Sequence, residues 1–168
     1  MQQLNSEAAP HYIPSGYQIR RQIYASATSQ VYRALRQQDQ QRVILKVLRA
    51  AHPQPAEWAR YQQEYEITRR LNAPGVIVAY GLETCRDSLT LILEDCGGVS
   101  LDHWLEEWKS AGTAAFSLSQ RLKLAGQIVA ALAPIHAAGI IHKDLNPSNI
   151  VFNPDTGAVK IIDFGLAT

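Results

Sequence analysis

An α+β fold is the class this sequence predicts, and three observations carry it. Short alternating apolar stretches, separated by polar turns, recur through the first half of the 168-residue chain. One segment among them, 57–71, instead repeats its apolar residues at helical spacing. Beyond Gly97-Gly98 the pattern becomes mainly helical, with an apolar run over about 119–138. The expected architecture is an antiparallel five-stranded sheet with one helix, followed by a mainly helical part.

In chain order, residues 1–15 are polar, contain Pro10 and Pro14, and read as a loose leader. Strands are expected over 17–24, 30–35 and 42–48, joined by the small polar turn 25–29 and the glutamine-rich turn 37–41. A loop holding Pro53 and Pro55 leads to the helix over 57–71. There Trp58, Tyr61, Tyr65, Thr68 and Leu71 share helical spacing, and Ala73-Pro74-Gly75 ends it. Two further strands are expected over 76–82 and 89–94, joined by the turn Arg86-Asp87-Ser88. Gly97-Gly98 marks a boundary, which divides the chain into 16–96 and 97–168. A short helix over 101–109 has Leu105 and Trp108 on one side. Ser117 or Ser119 caps the long helix that follows. That helix is apolar nearly all round, which calls for neighbours on most sides, and Pro134 is expected to kink it.

Composition narrows the function classes. Hydrophobic residues make up 46%, enough for a sizeable core and against disorder. Lys plus Arg is 16 against 15 for Asp plus Glu, a net charge of +1 that offers nothing to nucleic acid or an anionic membrane. Cys85 and Cys96 lack CxxC spacing and read as two free thiols in a reducing compartment. The first residues lack a basic start and an apolar run, and the most apolar stretch, 128–141, is interrupted by Pro134 and His136. A cytoplasmic protein is expected.

The chemistry-bearing stretch is Ile140-Ile141-His142-Lys143-Asp144-Leu145-Asn146-Pro147-Ser148-Asn149-Ile150-Val151-Phe152, followed by Lys160-Ile161-Ile162-Asp163-Phe164-Gly165. A carboxylate near a hydroxyl can accept its proton. A second carboxylate and an amide oxygen can hold Mg²⁺, which takes oxygen ligands and retains several waters. Asp144, Asn149 and Asp163 supply these groups at short spacing. Singly, such residues are ordinary turn formers; the combination is far more specific.

These motifs resemble the catalytic loop and Asp-Phe-Gly turn of the eukaryotic-type Ser/Thr protein kinases. The loop wording is most similar to kinase domains of bacterial, especially cyanobacterial, multi-sensor signalling proteins. The resemblance covers about residues 17–168. It implies a kinase-like N-lobe over 16–96 and the start of a C-lobe over 97–168, with ATP and Mg²⁺ as cofactors and a protein as substrate. Asp144 would be the base, and Asn149 and Asp163 the metal ligands. Lys46, in Val43-Ile44-Leu45-Lys46, would contact the phosphates and pair with Glu64, with Glu66 as the competing choice on another face. Glu94 to Cys96 would meet adenine through the backbone, Leu93 would guard the back of its pocket, and Val31, Leu45 and Val151 would be apolar walls. His142 reads as structural.

The sequence departs from the family at several places. Three glycines normally precede the residue matching Val31, so that backbone N–H groups can approach phosphates. Here Tyr24, Ser26 and Ser29 occupy those positions, and Ser and Thr hydroxyls would have to replace some of the lost hydrogen bonds. Lys143 replaces an Arg that makes bidentate contacts, which argues against control by a phosphorylated activation segment. Asn146 replaces a Lys near the γ-phosphate, which would slow transfer. The sequence stops after Thr168, before an activation segment and substrate-binding helices. The isolated chain is therefore expected to be inactive and unstable, or to be a piece of a longer protein with downstream sensor domains. Two other readings remain: a nucleotide-binding or inactive pseudokinase scaffold, and a small-molecule phosphotransferase of the aminoglycoside or choline type.

Overall fold

Alternation in the first third of the chain becomes three strands, β1 (Tyr17–Ala25), β2 (Ser29–Arg36) and β3 (Gln41–Leu48). With β4 (Ala79–Cys85) and β5 (Ser88–Glu94) they form one antiparallel sheet in the order β1-β2-β3-β5-β4. The computed structural model describes residues 13–49, 54–85, 88–110 and 117–168. The expected leader up to residue 12, Pro53 and the turn residues Arg86 and Asp87 lie outside them.

Register settles which side chains share a face. Val31 stands opposite Lys46, Arg33 opposite Ile44, and Tyr32 opposite Leu45. Because successive side chains alternate, Val31, Ile44 and Lys46 point one way, and Tyr32, Val43, Leu45 and Val47 the other. The second set is buried with Ala34 and Ile92 and is closed over by Ile13, Tyr17 and Ile19. The first faces helix α1 (Pro55–Leu71).

Helix α1 starts two residues earlier than expected. Pro55 fits the first turn, where its missing N–H costs nothing, and Glu57 reaches back to accept the Gln54 N–H at 2.8 Å. Tyr61, Glu64, Thr68 and Leu71 are its buried positions; Glu64 is buried where Tyr65 was expected, and Tyr65 and Trp58 are half-buried.

The fourth strand is displaced from its predicted 76–82. Residues 75–77 are apolar because they dock elsewhere: Ile161 N–H donates to the Gly75 carbonyl at 2.7 Å, and Ile77 N–H to the Ile161 carbonyl at 3.1 Å. Val76 makes an isolated parallel bridge to Ile161. The sequence also concealed a second sheet, β6 (Val99–Ser100), β7 (Ile150–Asn153) and β8 (Ala158–Ile161), whose strands of two to four residues are too short for periodicity to register.

Helix α2 (Leu101–Ser110) packs Leu101, Trp104 and Leu105 against Ile150 and Phe152. Helix α3 (Leu118–Ala137) is capped by Ser117, whose hydroxyl accepts the Gln120 N–H at 3.2 Å. It continues three residues past Pro134 and buries Ala131 and Ile135 beside Val76, Ile161 and Phe164. Leu118, Leu122 and Val129 stay exposed, so its described neighbours cover one side of a helix apolar on several.

Gly75 is where α1, α3 and β8 meet. Its φ of +81° is a left-handed conformation, and an added Cβ would lie 2.5 Å from the Ala131 Cβ and 2.9 Å from its Cα. Gly75→Ala should therefore combine left-handed strain of about 1–2 kcal/mol with overpacking of about 1–3 kcal/mol. The expected result is a Tm lowered by roughly 5–15 °C, read by thermal denaturation.

Candidate active site

The site forms where β3, α1 and the segment after β8 converge. Lys46, on the α1 side of β3, extends beneath the sheet to Glu64. Its Nζ lies 2.8 Å from both Glu64 carboxylate oxygens and 3.1 Å from Asp163 Oδ2. Glu64 is 2% exposed, so this ion pair sits largely out of water. Burial pushes the Glu64 carboxyl above its ordinary range, with Lys46 opposing it. For Lys46 burial acts downward, but Glu64 and then Asp163 outweigh it and raise the ammonium's pKa. Burial would raise Asp163 too, yet Lys46 holds it below the usual carboxylate value. Glu66, the rival of Glu64, is exposed and pairs with Arg69 at 2.9 Å.

Asp163 has a φ of +63°, and its Oδ1 accepts the Gly165 N–H at 3.3 Å. The next side chain, Phe164, is fully buried against the His142 ring, centroids 4.9 Å apart. His142 lies 2.9 Å through Nε2 from the Ile162 carbonyl and accepts the Asp144 N–H on Nδ1 at 3.3 Å. Both ring nitrogens are thereby engaged with backbone, which fits the structural reading of this residue.

Asp144 and Asn149 are brought together by a 3₁₀ turn, Pro147–Asn149, whose cap Asn146 accepts the Ser148 N–H at 2.9 Å. The Asn149 amide donates to the Asp144 Oδ2 and to its carbonyl, each at 2.9 Å. Asn146 donates to Asp144 Oδ1 at 3.2 Å. Asn146 thus orients the carboxylate it neighbours. Ile162 N–H donates to the Asn149 carbonyl at 3.0 Å, which ties this loop directly to the residue before Asp163.

The turn between β1 and β2 covers a cavity of about 320 Å³ lined by Ser26, Thr28, Ser29, Lys46, Arg60, Tyr61, Glu64 and Asp163, among others. The turn's own backbone is internally paired. Ser26 Oγ accepts the N–H groups of Ser29 at 3.0 Å and Thr28 at 3.3 Å, and Ser26 N–H donates to the Ser29 carbonyl at 2.8 Å. A serine hydroxyl thus occupies amides that a glycine-rich turn would leave free to meet an anion.

The remaining predicted residues divide. Val31 is half-buried directly opposite Lys46. Val151 lies on the face of β7 opposite Ile150 and Phe152, and a Cβ on Gly98 would meet its Cγ1 at 2.7 Å. Glu94 follows Leu93 at the end of β5, and its carboxylate holds Lys160 at 3.0 Å. The Cys96 carbonyl accepts the Asn153 side-chain amide at 2.8 Å, and both cysteines are free thiols. Leu45 is a correction. It is fully buried in the opposite layer with Tyr32 and Ile92, and cannot line a pocket on the Lys46 side. Ile44, packed near Leu93, Cys96 and Ile162, takes that place. Strand parity with Lys46 was the signal for it. Arg60 and Tyr61 were also missed as cavity residues. Arg60 lies four residues before Glu64 and so on the same face of α1.

The family described as protein kinase domain matches residues 17–168. The chain is 33% identical to the serine/threonine-protein kinase PknA of Mycobacterium tuberculosis, across 90% of this chain and 35% of that protein. It is 32% identical to the probable serine/threonine-protein kinase pknA2 of Bifidobacterium longum, across 96% and 21%. It is 34% identical to a probable serine/threonine-protein kinase of Arabidopsis thaliana, across 83% and 24%. The chain thus spans about a third or less of the length of these relatives.

Proposed function

The chain belongs to the protein kinase domain family, and from that premise we propose that its protein transfers a phosphoryl group from ATP, with Mg²⁺, to Ser or Thr of a protein substrate. The observation that carries the reading is the Lys46 ammonium held between Glu64 and Asp163, on the same backbone connection as the Asp144–Asn149 pair.

The donor set fits a magnesium ion. Among the described residues no three His, Cys, Asp or Glu groups cluster as a metal cage. Mg²⁺ does not require one, since it is commonly held by one or two protein oxygens with phosphates and water. Asp163 supplies a carboxylate. Asn149 donates through its nitrogen to Asp144, which leaves its side-chain oxygen for a cation. A bound metal would neutralise charge on the transferring phosphoryl group. The protein's own contribution is positional. Lys46 would bind nucleotide phosphates while Glu64 fixes its direction. Asp144, aimed by Asn146 and Asn149, would orient the substrate hydroxyl and accept its proton. Leu93, Glu94 and Cys96 would border the adenine, with Val31, Ile44 and Val151 as its apolar walls and Gly97 as the division between lobes.

Among the described residues no helix is long and apolar enough to cross a membrane. We place the protein in the cytoplasm, a reading supported by its two free thiols, and in a signalling chain with sensor modules, a reading supported by the loop wording. Titration calorimetry of the complete protein tests the site. Wild type should bind Mg-ATP and Asp163→Ala should weaken it by about tenfold or more. Equal binding by both would remove the basis for the assignment.

A further inference from the structure

We infer that Arg60 and Tyr61, on helix α1, hold the terminal phosphoryl group of the nucleotide, a task that the β1–β2 turn of this protein has largely given up. The inference rests on the nucleotide site proposed above and assigns two residues to it.

Three observations point there. First, the N–H groups of Ser26, Thr28 and Ser29 are paired within the turn, so few backbone donors remain to face an anion in the cavity beneath. Second, the catalytic loop brings no cation to this place: the residue after Leu145 is Asn146, and its amide donates to Asp144. Third, α1 brings what the loops lack. Arg60 lines the cavity and makes no ion pair or hydrogen bond among the described residues. Its position is close to the metal-side carboxylate. A Cβ on Gly165 would lie 2.8 Å from Arg60 Nε and 3.2 Å from Asp163 Oδ1, so the absence of that Cβ is what lets the guanidinium approach. Tyr61, 5% exposed, lines the same cavity, and its buried hydroxyl lies near Ser29 without a well-formed hydrogen bond among the described residues.

The chemistry of both groups suits a phosphate. Lys46 is engaged by two carboxylates, Glu64 and Asp163, and is not free to meet a terminal phosphate alone. The remaining carboxylate at the cavity, Glu57, accepts the Gln54 N–H and faces the start of its own helix. Arg60 is therefore the second cation at the cavity: its charge acts on Glu64 and Asp163 without forming an ion pair to either. Its planar fork suits two phosphate oxygens at once. A buried phenol without a well-formed hydrogen bond is unfavourable until a ligand oxygen arrives to accept its proton. Together they would recognise the phosphate that distinguishes ATP from ADP.

The test is calorimetric titration of the complete protein with Mg-ATP, Mg-ADP and adenosine. Arg60→Ala should weaken Mg-ATP by about tenfold, change Mg-ADP by about threefold or less, and leave adenosine unaffected. Arg60→Lys should recover part of the loss, because it keeps the charge without the fork. Tyr61→Phe should weaken Mg-ATP by about threefold. Thermal melting of each variant, matched to wild type, shows that the fold is kept. Arg60→Ala binding Mg-ATP as wild type does, while Asp163→Ala loses it, would overturn this inference and leave the nucleotide site standing. A loss of equal size for all three ligands would also overturn it. A wild-type protein that binds none of them would overturn both.

Discussion

Asp144→Asn is expected to lower phosphoryl transfer by about 10²–10⁴-fold while Mg-ATP binding stays near wild type. The carboxylate is held on both sides: Oδ2 takes the Asn149 amide at 2.9 Å and Oδ1 the Asn146 amide at 3.2 Å. A replacement amide has one acceptor and one donor end. Whichever way it turns, one neighbour's N–H₂ meets another N–H₂, and about 1 kcal/mol of local hydrogen bonding is lost. That is a small disturbance of the loop. The large effect comes from basicity, because an amide cannot take a proton from a hydroxyl. Steady-state turnover of the complete protein on a generic Ser/Thr substrate, beside calorimetry with Mg-ATP, separates the two. Unchanged turnover would remove Asp144 from the base role, whereas a wild-type protein that binds Mg-ATP without turning it over would favour a nucleotide-binding scaffold.

How much of this was legible beforehand differs by element, for physical reasons. The five-stranded sheet and α1 were readable because each is long enough for its period to show. Residues 75–77 misled because burial and strand pairing leave the same apolar imprint: Val76 is buried beside Ile161, and Ile77 packs its side chain on Leu48, Leu91 and Leu93 while its N–H donates to Ile161 instead of joining the large sheet's ladder. The second sheet escaped because two to four residues carry too little alternation. Within the site, the motif residues Lys46, Glu64, Asp144, Asn149 and Asp163 could be named from spacing and resemblance. Leu45 was assigned to the pocket through the resemblance, although as the direct neighbour of Lys46 along the strand it faces the opposite way. The engaged state of the Ser26 hydroxyl was out of reach. A serine in a turn can point at its own backbone or at a ligand, and only coordinates distinguish these.

The second large effect concerns the buried ion pair and carries a sign. Lys46→Met removes the cation from between Glu64 and Asp163 and leaves two carboxylates facing each other in a largely dry site. Breaking one side of a buried pair costs about 3–5 kcal/mol, so the variant should melt well below wild type and lose Mg-ATP binding. Glu64 offers a partial escape. Burial already raises its pKa, Asp163 raises it further, and Lys46 is the main influence holding it down. Without Lys46 the folded-state pKa must climb further above the ordinary value of 4.5. A group whose folded pKa is raised contributes stability that is present below the unfolded pKa and is lost as pH rises through the folded one. The deficit of Lys46→Met relative to wild type should therefore widen as pH rises from about 4.5 toward neutrality and beyond. In the double variant Lys46→Met/Glu64→Gln that pH dependence should shrink to the part carried by Asp163, whose carboxyl Lys46 also holds down in the wild type. Thermal denaturation of the three proteins at several pH values reads both effects. A deficit that is constant with pH, or that narrows as pH rises, would mean that Glu64 is not the group which Lys46 keeps charged.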